Sequence, residues 1–120
     1  MQKRILVLDD NQDILDIIHE ALLYQQFEVK VTLDSESIIH LTNEYQPDLI
    51  ILDHHLTGTN GSVICRQLKT HPDLGHIPVI ICSAYVNKND DLSAWGCDDV
   101  IAKPFGLEEL TEKVSNLILG

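Results

Sequence analysis

The chain has 120 residues, with 8 Lys+Arg against 19 Asp+Glu and a formal net charge of −11. That length suits one domain, and 41 residues of Leu, Ile, Val and Phe exceed by far the roughly one-fifth ceiling of disordered chains. So acidic a balance argues against direct binding to nucleic acid or to an anionic membrane surface, both of which call for Lys and Arg.

Short apolar runs alternate with segments of helical spacing along the chain. Ile5–Leu8, Val29–Leu33, Leu49–Leu52, Ile77–Cys82 and Val100–Ala102 read as strands. Three of them are continuous rather than alternating, which suits strands covered on both faces. Between them, Ile14, Leu15, Ile18, Leu22 and Tyr24 mark a first helix, and Ile38, Leu41 and Tyr45 a second. Val63, Ile64, Leu68 and the stem of Lys69 mark the next, and Leu107, Leu110, Val114, Leu117 and Ile118 the last. A weaker helical segment, Asn87–Trp95, carries only Leu92, Ala94 and Trp95 as apolar residues. Asn11 is placed to cap the first helix, and Asp34 or Ser35 the second. Five βα units in succession predict an α/β domain over residues 1–120, with a parallel sheet and right-handed crossovers.

Compartment follows from what is missing. The apolar run after Lys3-Arg4 stops at Asp9 and Asp10, short of the about 7–15 apolar residues of an export signal. No stretch approaches the roughly 18 of a transmembrane helix. Cys65, Cys82 and Cys97 are odd in number and widely spaced, without C-x-x-C. The expectation is a cytoplasmic protein with reduced, mostly buried thiols, ending after its fifth helix with no output domain attached.

In open parallel sheets, sites form beyond the carboxyl ends of the strands. Asp9 and Asp10 follow the first run, Asp53 the third, Ser83 and Ala84 the fourth, and Lys103-Pro104 the fifth. Three carboxylates a few ångströms apart repel, each close pair by about 4 kcal/mol at an effective dielectric near 20. A divalent cation relieves that repulsion, and hard oxygen ligands favour Mg²⁺ over Zn²⁺. Asp53 is the best placed nucleophile, and attack by a carboxylate on a phosphoryl group gives an acyl phosphate. Ser83 and Lys103 could hold the phosphoryl oxygens.

Whole motifs carry a family resemblance. Ile5-Leu6-Val7-Leu8-Asp9-Asp10, Asp48-Leu49-Ile50-Ile51-Leu52-Asp53 with Gly61 eight residues beyond, Ile77–Ala84 and Gly96–Phe105 resemble the receiver domain of two-component response regulators. The resemblance covers essentially the whole chain. It implies a three-layer, flavodoxin-like fold with five helices and a five-stranded sheet in the order 2-1-3-4-5. It also implies phosphorylation of Asp53 from a phosphohistidine on a kinase or phosphotransfer protein, with Mg²⁺ held by Asp9, Asp10, Asp53 and the His55 backbone carbonyl. Ser83 would be the switch hydroxyl, small Ala84 would leave it access, and Lys103 would pair with the phosphoryl oxygens. A cis peptide before Pro104 is implied as well. Such a protein turns over no separate substrate, catalysing only its own phosphorylation and dephosphorylation, and signals through protein contacts.

Three positions depart from the family pattern. Val100 stands where an aromatic switch residue is usual, Thr57 where a proline is usual, and Trp95 where a small residue is usual. Thr57 is expected to loosen the loop from Gly58 to Gly61, and Trp95 to pack at the end of its helix. His55 and Tyr85 are expected to border the path of a hydrolytic water and to set the lifetime of the phosphorylated state.

Other readings start from the same residues. A haloacid-dehalogenase-like phosphatase uses Asp-x-Asp-x-Thr, which Asp53 and Thr57 fit, but His55 replaces the second Asp. A receiver fold used as an interaction module with an atypical switch is a second alternative, favoured only by Val100. Adjacent His54 and His55, and the absence of zinc-ligand spacings, argue against a zinc site. Asp9-Asp10-Asn11 in the first turn excludes a glycine-rich dinucleotide loop.

Overall fold

A computed structural model describes residues 2–84 and 96–118. Strands β1 (Arg4–Leu8), β2 (Glu28–Thr32), β3 (Leu49–Asp53), β6 (Val79–Ser83) and β7 (Asp99–Ala102) form one sheet in the order β2-β1-β3-β6-β7, every neighbouring pair parallel. Two-residue strands β4 (His55–Leu56) and β5 (Thr59–Asn60) make a separate antiparallel hairpin. Helices α1 (Gln12–Tyr24), α2 (Ile38–Tyr45), α3 (Gly61–Thr70) and α4 (Leu107–Ile118) connect and cover the strands. The five long strands therefore take the expected 2-1-3-4-5 order. Four helices lie among the described residues, against five expected. The expected helix at Asn87–Trp95 lies outside them, as do Tyr85 and Trp95.

The continuous apolar runs become the central strands because only residues apolar on both faces can sit between two helical layers. All five residues of β3 and of β6 are buried, as are four of the five in β1. Edge strand β2 instead alternates, exposing Glu28 and Lys30. One core lies under α1 and α4, built on Ile5, Val7, Leu49, Ile51, Ile80 and Ile101 with Leu15, Ile18, Leu110 and Val114. A second lies under α2 and α3, built on Leu6, Leu8, Ile50, Leu52, Val79 and Ile81 with Ile38, Ile64 and Leu68.

Several local expectations change. Asn11 does cap α1, its Oδ1 accepting from Asp13 N at 2.9 Å and Ile14 N at 3.3 Å. Neither Asp34 nor Ser35 caps α2, whose N-cap is Ser37. Asp34 holds the preceding bend instead, accepting from Glu36 N at 2.9 Å and Ser37 Oγ at 2.8 Å. Val63 and Tyr24 face solvent, while Cys65 and Thr42 occupy core positions that a purely aliphatic pattern passes over. Thr42 is accommodated because its hydroxyl donates to Ile38 O at 2.6 Å. Lys69 contributes more than an apolar stem. Its ammonium, at 2.6 Å from Asp98 and 2.9 Å from Ile77 O, ties α3 to the entries of β6 and β7.

The loop after β3, where Thr57 is expected to loosen the chain, carries the β4–β5 pairing. Gly58, at φ +83°, supplies the left-handed residue its turn needs. Ser35 Oγ donates to Thr57 O at 3.4 Å, tying the turn to the β2–α2 connection.

Candidate phosphoryl and metal site

Parallel pairing puts the carboxyl ends of β1, β3, β6 and β7 along one edge. Asp9 leaves β1 only 2% exposed, Asp53 ends β3 at 6%, and Asp10 lies exposed beside them. One carboxylate oxygen from each of these three lies within 4.8 Å of the others. Lys103, one residue past β7, reaches across β6 and β3 to the cluster. Its ammonium is 3.0 Å from Asp9 Oδ2 and 3.3 Å from Asp53 Oδ1. Ser83, fully buried at the end of β6, is held next to Lys103 by the Lys103 N–H, which donates to Ser83 O at 2.8 Å. Ala84 follows it, exposed. The Lys103–Pro104 peptide is cis, as the resemblance implied.

Each acid is oriented locally. The Asn11 N–H donates to Asp9 Oδ1 at 2.9 Å, so the cap of α1 also fixes the Asp9 carboxylate. Asp53 is backed by α3: a Cβ on Gly61 would sit 2.5 Å from Asp53 O and 3.0 Å from His54 Cα. Only glycine allows the helix to start this close to the acid. His54 N donates to Cys82 O, and Gly61 N to His54 O, both at 2.8 Å, which closes the turn behind Asp53. Sequence reasoning reached the acids but missed these supports. Gly61 was visible only as part of a motif, and Asn11 only as a cap through its side chain.

Electrostatically the cluster is under tension. Burial, and then the Asp9 charge, push the Asp53 carboxyl above its ordinary range, against the pull of Lys103. Burial by itself would lower Lys103, but its contacts with Asp9 and Asp53 together outweigh that and raise it. One ammonium thus faces three carboxylates. A donor set of hard oxygens, two of them on buried residues and all within reach of a single ion, fits Mg²⁺.

His55 is exposed on β4, its residue paired with Asn60. Val100, half-buried on edge strand β7, pairs with Ile81. Among the described residues no helix is long and apolar enough to cross a membrane.

Comparison with known proteins agrees with this geometry. A family model described as the response regulator receiver domain matches residues 5–115. Response regulator PleD of Caulobacter vibrioides is 30% identical over 119 residues, covering 98% of this chain and 26% of that protein. The DNA-binding dual master transcriptional regulator RpaA of Synechocystis is 32% identical over 117 residues, covering 96% of this chain and 48% of that protein. The chain therefore spans from about a quarter to about half the length of these relatives. Among solved structures, response regulator TrrA from Thermotoga maritima, in complex with Mg(2+)-BeF, is 30% identical with a TM-score of 0.86, covering 97% of this chain and 99% of that one. These matches favour neither the phosphatase nor the bare interaction module. With the family model spanning nearly all of it, the chain belongs to the response regulator receiver domains of two-component signalling.

Proposed function

We propose that the protein is a Mg²⁺-dependent phosphoacceptor that takes a phosphoryl group from a phosphohistidine onto Asp53. The observation that carries this reading is the Lys103 ammonium seated between Asp9 and Asp53 at 3.0 and 3.3 Å. It is a preplaced cation at the edge of the only three-carboxylate cluster among the described residues. A relative 30% identical to this chain, solved with Mg(2+)-BeF, supports it.

In the reaction an Asp53 carboxylate oxygen attacks phosphorus, the phosphorus–nitrogen bond of the donor breaks, and the released imidazole nitrogen takes up a proton. Lys103 then leaves its contact with the free carboxylate and pairs with phosphoryl oxygens, where its charge is needed. Asp9, Asp10 and Asp53, with the His55 carbonyl, would hold Mg²⁺. When bound, it supplies neutralisation of phosphoryl charge. Ser83 turns its hydroxyl toward the phosphoryl group, and the small side chain of Ala84 keeps that approach open. Val100 replaces the usual aromatic switch residue, so readout at β7 uses a branched aliphatic side chain. The donor is a sensor kinase or histidine phosphotransfer protein in the cytoplasm, and the output is a protein contact. The only chemistry the protein catalyses is on its own Asp53.

The test is labelling by a small phosphodonor with Mg²⁺, followed by peptide mapping. Asp53→Asn should abolish the label while keeping the fold, because the amide is isosteric and removes one of the repelling charges. Labelling of this variant at the wild-type rate would overturn the assignment.

A further inference from the structure

Cys65 and Lys69 lie four residues apart in α3 and share one face of it, one turn apart. The Lys69 end of that face is tied to the approach to β7 through the 2.6 Å contact with Asp98. The chain neighbour of Asp98 is Cys97. Cys97 is half-buried and packs against the same apolar cluster that contains the fully buried Cys65. Burial, with the charge of Cys97 as a smaller second cause, pushes the Cys65 thiol up to about 11. Cys82 is kept apart. It belongs to the core on the other face of the sheet, under α1 and α4.

We propose that Cys65 and Cys97 form a redox pair, which a disulfide-class oxidant entering at Cys97 converts to an intramolecular disulfide joining α3 to the approach to β7. The Cys97 thiolate attacks one sulfur of the oxidant and expels a first thiolate. Cys65 then attacks the Cys97 sulfur of the mixed disulfide and expels the second. The two protein thiols are oxidised, the oxidant is reduced to two thiols, and the protons lost by Cys65 and Cys97 end on those leaving groups. Partial exposure makes Cys97 the entry point, while full burial leaves Cys65 only the resolving role.

The position matters because of what each end supports. The start of α3 packs against the Asp53 carbonyl through Gly61, and β7 delivers Lys103. The bridge closes a loop of roughly 30 residues between the elements that position these two groups. Formation of the bridge is independent of the phosphoacceptor reading.

The experiment treats the native full chain with excess oxidised glutathione, then measures intact mass and maps peptides without reduction. The expected product is a monomer lighter by about 2 Da, in which trypsin leaves the Cys65 peptide joined to the Cys97 peptide. Cys65→Ala should instead stop at a stable glutathione adduct on Cys97, and Cys97→Ser should show neither product. A wild-type chain that ends unmodified, that keeps glutathione on Cys97, or that links Cys97 only between chains would overturn the proposal. The wild-type map decides the matter even if a variant fails to fold.

Discussion

Gly61→Ala tests whether the backing of Asp53 is as tight as the geometry requires. The new Cβ would lie 2.5 Å from Asp53 O, 3.0 Å from His54 Cα and 3.1 Å from Asp53 C. All three are backbone atoms, so no side chain can rotate away. Reaching ordinary contact requires α3 and the Asp53 carbonyl to separate by nearly an ångström. Overpacking of this kind costs about 1–3 kcal/mol. Alanine returns less than the about 1 kcal/mol it gains over glycine inside a helix, because the site is the first helical residue. With roughly half a kcal/mol returned, and since 1 kcal/mol shifts the melting temperature of a chain this size by roughly 3–6 °C, the variant should melt about 2–15 °C lower. Displacement of the acid by that distance should also slow labelling of Asp53 by on the order of 10–100-fold.

Circular dichroism melts and the phosphodonor assay read these two effects separately. Gly106→Ala is the companion variant, since no atom lies within 4 Å of its added Cβ. It precedes α4 and costs only the mild preference for glycine over alanine at such a position, about 1 kcal/mol or less. An unchanged or higher melting temperature for Gly61→Ala, together with wild-type labelling, would refute the claim that glycine is required there.

Mg²⁺ at about 100 times its dissociation constant should stabilise the protein by about 2.7 kcal/mol. Asp10→Ala should remove most of that increment in a melt with and without the ion, and an unchanged increment would place the metal elsewhere. Asn11→Ala strips the acceptor used by Asp13 N and Ile14 N and should lower stability by about 0.5–2 kcal/mol in urea titration. Its backbone N–H still serves Asp9, so labelling should continue, and loss of labelling would mean the side chain orients the acid too. His55 and Tyr85 are proposed to shield the phosphoryl group from water. The double variant His55→Asn with Tyr85→Glu should therefore lose its label severalfold faster, and equal or slower decay would sink the shielding idea.

The sheet was legible because burial on both faces leaves a strong trace: Leu49–Leu52 and Val79–Cys82 admit no polar residue, and runs so short and rich in Ile and Val suit a central strand better than a buried helix. Helix faces were read less well. Cys65 and Thr42 are buried although neither is aliphatic, the first because a thiol behaves as a small hydrophobe, the second because its hydroxyl is satisfied within its own helix. The cap of α2 was misplaced because Asp34 and Ser35 carry the right chemistry for an N-cap, but Asp34 spends it on the bend before Ser37. The acids of the site were legible because strand ends locate them without any knowledge of side-chain packing. What held them was not. The Gly61 contact with Asp53 O and the Asn11 N–H bond to Asp9 are tertiary facts, and a sequence shows only that a glycine and an asparagine are present.

The charge count of the site has a consequence for the order of its stabilities. Three carboxylates and the Lys103 ammonium leave a net charge of about minus two in a place where Asp9 and Asp53 are almost removed from water. In a partly desolvated site such an excess is costly, and a divalent cation cancels it. In the proposed phosphorylated state the single negative charge of Asp53 becomes nearly two, so the site again exceeds its cations by about one charge. The phosphorylated state therefore has more to lose from removal of the metal than the free state has. Nor can Lys103 make up that difference by serving every oxygen at once, because it already spans Asp9 and Asp53. Were it to turn to the phosphoryl group, the Asn11 N–H would be the remaining hydrogen-bond donor to Asp9 among the described residues. On this reading the two-sided core serves the proposed chemistry directly: it holds four strand ends together, and so keeps the excess negative charge that favours a divalent cation, whose own charge would then offset that of a phosphoryl group.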